Sequence, residues 1–361
     1  MNKLRIFHYD FADIVYSSFF IKGFLENQKQ WKYDFRISKA IPRPVLAMMN
    51  DPFYWPISSK MCIFEVRTSR SRFFFCVDTH DSNRSILCGG GPGYGLPLMK
   101  HIRYYFKVNY NEKIIDNDPN LQPFRNSILP TPICFPVGFD RPWIILKSII
   151  RPSERPRSLL MAKKGFDVLI NTPGLGYFRN LREFRKTIDV FFVNRAYGSR
   201  HQGVDDFRRR IIDKMRNSKD ITGIAGFSRV MGKTRNQPLQ IGAYGCGRYR
   251  RRKYLKNLAR ARVGIYVRGT HNCISFKLGE LLALGLPIVG QPIANNRKIF
   301  YADSEWSKQF RFETVDEIIT EVRRLLKSPS ELTKLGEMNR RIFDNQFAPK
   351  AVVADILRKV L

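Results

Sequence analysis

The chain has 361 residues, 43% of them hydrophobic, with 63 Lys and Arg against 31 Asp and Glu and a formal net charge of +32. That length holds two domains with full cores, and that apolar share excludes a disordered chain. No apolar run approaches the ~20 residues of a transmembrane helix, and the positive excess points to polyanions without choosing among nucleic acid, anionic lipid headgroups and phosphorylated substrates.

The start, MNKLRIFHYD, lacks the unbroken apolar core of a signal peptide and leads into a strand expected over Lys3 to Tyr9. A cytosolic location is therefore expected. Asp10 to Gln28 reads as a helix, with Phe11, Ile14, Val15, Phe19 and Phe24 near one face. Arg72 to Val77, RFFFCV, is an apolar run of strand length, and Tyr104 to Val108 is another. Between them, the Gly- and Pro-rich stretch from Gly89 to Pro97 reads as a loop. Phe139 to Ser158 is rich in Pro and Arg and reads as the start of an interdomain connection. Cys62, Cys76, Cys88, Cys134, Cys246 and Cys273 form no CxxC or Cys/His zinc spacing, so reduced thiols and no metal site are expected.

In the second half, Asp189 to Asn194 reads as a strand, Val204 to Met215 as a helix and Ile221 to Gly226 as a strand. A helical pattern through Leu255, Leu258 and Ala259 runs into an apolar strand, Val263 to Val267. A polar loop follows, Arg268 to Asn272, then an amphipathic helix ending at Gly285 and a strand, Leu286 to Gly290. This βα alternation predicts a doubly wound sheet, with the loop at a strand's carboxyl end, where such sheets bind ligands. Gln309 to Phe312 is expected as the last strand, and Val315 to Leu326, Ser330 to Asn345 and Pro349 to Leu361 as helices.

The segment from Tyr254 to Pro292 resembles the donor-binding core of GT-B glycosyltransferases, on the strand, Gly loop, helix carrying Glu280, and Ala283, Gly285, Pro287, Ile288 and Val289. The resemblance implies two Rossmann-like, doubly wound α/β domains facing a cleft. Residues 1–160 would bind the acceptor, 161–345 a nucleotide-sugar, and 346–361 would be a helix crossing back to the first domain. It implies that Glu280 grips ribose hydroxyls and that Arg268, Gly269, His271 and Asn272 in the loop, with Ser275 and Lys277 at the helix start, hold the diphosphate. Arg195 and Arg200, after the strand Asp189 to Asn194, resemble the basic pair that clamps the donor diphosphate. Asn272 stands where the retaining subgroup carries Glu, eight residues before Glu280, and Ser275 replaces a loop glycine, which favours inversion.

Physical chemistry supports the same residues and supplies plainer alternatives. Arginine's planar fork suits phosphate, and a helix start offers free N–H groups to anions. Equally, Ser275 reads as an N-cap, Glu280 as the i,i+3 partner of Lys277, and His271 as a structural histidine. The clusters at Arg208 to Arg210 and Arg248 to Lys253 read either as solvated helix faces or as anion sites; a basic helix start opposes the dipole and favours binding. Asp78, His80 and Asp81 follow the strand Arg72 to Val77 and include the expected general base for the acceptor hydroxyl, against an Asx turn at Asp78 and a cap from Asp81 or Ser82. His8 and Asp10 are weaker candidates.

The expected function is transfer of a sugar from a nucleotide-diphosphate donor to a glycan or lipid-linked glycan in surface-polysaccharide synthesis. The enzyme would be metal-independent, with no tightly bound cofactor, and drawn to an anionic membrane surface. The alternatives are a basic nucleic-acid-binding protein, disfavoured because no RNP, zinc-finger or helix-turn-helix signature is present, and a nucleotide-sugar epimerase of the same fold.

Overall fold

Six short runs of aromatic and β-branched residues in the first 130 positions pair into one sheet, ordered β2-β1-β3-β4-β5-β6. The computed structural model describes residues 4–9, 12–38, 42–87, 90–139, 171–230, 242–247 and 249–361. The connection expected over 139–158 lies, beyond Phe139, outside the described residues, as does Asp10. Two compact units result: unit 1 comprises Met1–Leu175, Ala294–Ile299 and Asn345–Leu361, and unit 2 comprises Gly176–Ile293 and Phe300–Asp344.

In unit 1, β1 (Arg5–Tyr9) runs parallel to β2 (Asp34–Ser38). β4 (Arg72–Asp78), β5 (Tyr104–Lys107) and β6 (Ile128–Pro130) are also mutually parallel. β3 (Met61–Arg67) lies antiparallel between β1 and β4, so the sheet is mixed rather than wholly parallel. The cause is local: the four-residue turn Thr68 to Ser71, closed by the Thr68 amide donating to the Ser71 carbonyl at 2.9 Å, makes β3 and β4 a hairpin.

Helix α1 (Ile14–Trp31) begins after Asp13, whose side chain accepts from the Val15 amide, and ends at Lys32 in the left-handed region at φ 52°. Its Phe24 packs against Phe35, Phe64 and Phe75 of the sheet. The C-terminal helix Pro349–Val360 also belongs to unit 1 and packs on α1. A Cβ on Gly23 would sit 2.3 Å from the Pro349 carbonyl oxygen, so the two helices approach this closely only over glycine. Asn27 ties them together by donating to both the Gly23 and Lys350 carbonyls.

Unit 2 is wound on an all-parallel sheet of order β10-β9-β7-β8: β7 (Ile188–Ala196), β8 (Gly223–Val230), β9 (Ala261–Tyr266) and β10 (Ile288–Gly290). Alternation sorts the side chains. Val190, Phe192, Val263 and Ile265 face α2 (Gln202–Asn217) and, beyond it in sequence, the helix Val315–Leu326, through Ile211, Ile212, Ile318 and Ile319. The opposite face carries α3 (Arg251–Ala259) and α4 (Phe276–Ala283). There Gly264 lets α4 sit close to the sheet, because a Cβ would lie 2.7 Å from Leu281 Cδ2. Gly285, at φ +64°, ends α4.

Residues 309–312 are not a strand. They exchange only two backbone bonds with Gly290, from Gly290 to the Gln309 carbonyl and from Phe312 to the Gly290 carbonyl, and form no ladder. Among the described residues no helix is long and apolar enough to cross a membrane.

Candidate functional site

The strand order of unit 2 reverses at β7: the chain steps from β7 to β8 on one side, then returns to β9 on the other. The carboxyl ends of β7 and β9 thus form a topological switch point, the crevice where open parallel sheets bind ligands. Ser275 caps α4 there, accepting from the Lys277 amide at 3.4 Å. The Lys277 ammonium donates to the Val193 carbonyl and, at 2.9 Å, to Asn194 Oδ1, both at the end of β7. Burial first, then the neighbouring charges of Arg208, Arg195 and Arg251 against that of Glu280, bring its pKa down to about 7.

One turn further, Glu280 is 1% exposed. Its Oε1 accepts from Arg251 Nη1 at 2.6 Å. Its Oε2 is buried without a hydrogen-bond partner among the described residues, and so is Arg251 Nη2. Buried polar atoms are costly when unmatched, and the neighbouring Tyr254 phenol hydrogen-bonds to the Glu280 side chain, so the carboxylate is shared with Tyr254 until a ligand hydroxyl takes its place. Tyr254 lies against this pair, with the Arg251 guanidinium 5.9 Å and the Lys277 ammonium 5.5 Å from its ring centre. Its phenol is pushed well up, by burial first and then by Glu280. Phe191 meets Tyr254 and Tyr249 edge-on at 5.5 and 5.6 Å.

The segment after β7 is pinned by a buried pair. Asp205 accepts from the Tyr197 and Gly198 amides at 2.7 and 2.9 Å, and Arg208 donates to the Arg195 carbonyl at 3.0 Å. Arg195 lies on β7, exposed and just past a register shift, not in the loop as expected. The Arg200 side chain lies outside the described residues.

The loop after β9 is less uniform than expected. Arg268 is committed elsewhere: its guanidinium pairs with Glu313 at 2.8 Å and its amide donates to Gln291. Gly269 leaves room for Cys273, whose Sγ would lie 2.4 Å from an added Cβ. His271 and Asn272 are exposed and both left-handed at φ 57°, and the His271 ring stands 5.4 Å from that of His201. The structure thus brings together Arg195, Ser275, Lys277 and Glu280. Arg251, Tyr254 and Arg208 join them without having been singled out individually; the basic start of α3, unfavourable to its own dipole, was the available signal.

In unit 1 the Asp78 carboxylate is fully buried. It accepts from Lys107 Nζ at 2.7 Å, from the Tyr105 hydroxyl and, in an Asx turn, from the His80 amide at 2.7 Å. With both oxygens engaged, Asp78 is a structural anchor and not a general base, a correction to the expectation. The His80 imidazole is pushed down to about 4, by burial first and by Lys107 next, and its Nδ1 accepts from the Ser82 amide. Asp81 is the exposed carboxylate of the group, and no helix begins there for it or Ser82 to cap. His8 is buried, its Nδ1 3.2 Å from the Ile63 carbonyl. Among the described residues no three His, Cys, Asp or Glu side chains converge as a metal site would require.

No family of known sequence signature and no curated protein matches the chain. Among solved structures it is similar to T4 phage β-glucosyltransferase in complex with UDP and Mn2+, at 14% identity over 72% of this chain and 83% of that one, TM-score 0.34. It is similar to a mutant of the T4 phage enzyme with UDP-glucose, at 13% identity over 77% and 80%, TM-score 0.35. A third is the DNA-modifying β-glucosyltransferase in the presence and absence of uridine diphosphoglucose, at 14% identity over 72% and 82%, TM-score 0.32. At these values the fold assignment rests on the strand order given above, and the likeness carries no argument about activity.

Proposed function

We propose that unit 2 binds a nucleotide-diphosphate sugar and that the protein is a glycosyltransferase. The observation that carries this reading is the switch-point pair of Glu280, with its buried unmatched Oε2, and Lys277, held at the end of β7. A ribose hydroxyl donates to Glu280 Oε2, and the diphosphate meets Lys277 and Arg195 with the positive charge of Arg208 and Arg251 behind them. Such preorganised cations stabilise the charge that develops on a departing nucleoside diphosphate. In the transfer, the acceptor oxygen bonds to the anomeric carbon, the bond to diphosphate breaks with its electron pair, and a base takes the acceptor's proton. On this reading the base is Asp81, the exposed carboxylate after β4.

The test is thermal stabilisation by UDP-, GDP-, ADP- and dTDP-sugars. A saturating ligand at 100 times its Kd adds about 2.7 kcal/mol of apparent stability. The expected outcome is a shift with one nucleotide class that largely disappears in Glu280→Gln, read as the ligand-induced difference because the variant's own Tm changes as Arg251 loses its pair. A panel with no response, or an equal response from the variant, overturns the reading.

A further inference from the structure

At the opposite end of the unit 1 sheet from Asp78, the amino ends of β1, β4 and β5 carry arginine after arginine. Arg5 pairs in register with Arg67, and Arg67 with Arg72. Directly opposed residues share a face, so these three form one row across three strands. Arg103, whose amide donates to the Phe74 carbonyl at 2.8 Å, stands at the same end of the sheet just before β5, with its guanidinium over Phe73 and Tyr104, rings that alternate to the opposite face. Arg70 stands in the β3–β4 turn, where the Thr68 hydroxyl accepts from its amide at 3.2 Å. All five are exposed or half-exposed.

The guanidiniums are laid over aromatic rings. Arg67 is 4.2 Å from the Phe7 ring centre, Arg72 is 5.5 Å from Phe74, and Arg103 is 5.2 and 5.4 Å from Phe73 and Tyr104. Two acids accompany them: Asp34, paired in register with Arg5 and bonded to Arg36 at 2.7 Å, and Glu65, wholly buried between Arg67, Arg72 and the Tyr9 hydroxyl. Burial works to raise the pKa of Glu65, but Arg67, Tyr9 and Arg72 together hold it below the usual carboxylate range. The buried charge positions two arginines while the surface stays positive.

We infer that this row is a nucleic-acid-binding surface that grips the phosphodiester backbone. Three strands at ~4.8 Å spacing span about 10 Å, the axial length of roughly three phosphates of one strand at ~3.4 Å each. Arg67 commits Nε and Nη2 to Glu65, and Arg72 commits its Nε there, so their ring-held planes face unpaired bases while the forks of the other arginines meet phosphate oxygens. A membrane surface fits less well. The exposed large apolar side chains among the described residues are Phe53, Trp55, Ile86, Phe184 and Leu361, none of them in the row, so it offers charge without the apolar insertion that interfacial anchoring uses. The inference is independent of the nucleotide-sugar reading, which rests on unit 2.

The experiment compares three full-length proteins by fluorescence anisotropy with labelled single- and double-stranded oligonucleotides across a salt series, and by flotation with anionic phosphatidylserine vesicles. These are the wild type, Arg5→Ala/Arg70→Ala/Arg103→Ala, and Lys327→Ala/Lys334→Ala/Arg341→Ala. The first triple leaves Arg67 and Arg72 on Glu65, so the buried carboxylate keeps its partners. The second removes the same charge from exposed positions of unit 2. The expected result is an affinity loss of at least about tenfold in the first triple only, with the log–log salt slope flatter by about two to three. Preference for one oligonucleotide form then says which nucleic acid the row takes. Equal losses in both triples, or none, overturn the inference. Vesicle binding that depends on the row without oligonucleotide binding overturns it in favour of lipid.

Discussion

Lys277 couples donor binding to protons. Its ordinary pKa is lowered to about 7 by burial and by neighbouring guanidiniums, and a bound diphosphate reverses the second influence and raises it. Binding between pH 7 and 9 therefore takes up a proton, and affinity falls as pH rises above 7. Calorimetry in two buffers of different ionisation enthalpy reads that proton directly; identical heats would sink the assignment. Asp78 and Asp81, three residues apart, are predicted to behave oppositely. Asp78→Asn leaves the wholly buried Lys107 without its counter-charge, which costs about 3–5 kcal/mol and appears as a lower denaturation midpoint. Asp81→Asn is expected to keep the fold and the donor shift while kcat falls by roughly 10²–10⁴; wild-type turnover in that variant would remove Asp81 as the base. His80, with its pKa pushed down to about 4, gives the pH dependence of unit 1. Between its ordinary ~6.5 and 4 the unfolded chain binds the proton and the folded chain does not. Stability is therefore complete above 6.5 and falls as pH drops through this window. A His80→Gln variant losing stability with the same slope would place the dependence elsewhere.

At the scale of elements, the α4 region shows why some of the site was legible. The spacing of Glu280, Gly285 and Pro287 survives in any protein that ends a helix and starts a strand within a few residues, and the left-handed Gly285 does so here. The partner of Glu280 was not legible in the same way. Arg251 is 29 residues away in sequence on a different helix, and only the sheet brings α3 and α4 onto one face. The same holds for β3, whose apolar run MCIFEVR is interrupted by Glu65. A carboxylate inside a strand reads as a surface position until Arg67, Arg72 and Tyr9 close over it, which is a tertiary event. β2 and β6, of five and three residues, are too short for periodicity to speak. Gly264 offers a test of how tightly α4 is set on the sheet. A methyl there meets Leu281 at 2.7 Å, and overpacking of this kind costs about 1–3 kcal/mol. Gly264→Ala should lower the midpoint of unit 2 and weaken donor binding, because α4 carries both Lys277 and Glu280; a variant with unchanged donor affinity would show that the helix position does not set the site.

At the scale of the molecule, the last helix decides how much of the chain unit 1 needs. Pro349–Val360 is the most distant segment in sequence from α1, yet Val352, Val353, Ile356 and Leu357 are each at most 1% exposed and Gly23 is shaped to receive it. Burying four aliphatic side chains at ~1.5–3 kcal/mol each amounts to roughly 6–12 kcal/mol, comparable to the ~5–15 kcal/mol that holds a domain together. A chain ending at Ala348 should therefore lose the cooperative unfolding of unit 1. Unit 2 closes its own sheet and both of its helix layers without these residues, so its stabilisation by a nucleotide-sugar should survive. Differential scanning calorimetry of the truncated and full-length chains, each with and without donor, separates the two. Loss of one transition with the donor-sensitive one retained is the expected result. Retention of both transitions near their full-length temperatures would mean that the C-terminal helix rests on unit 1 without holding it together.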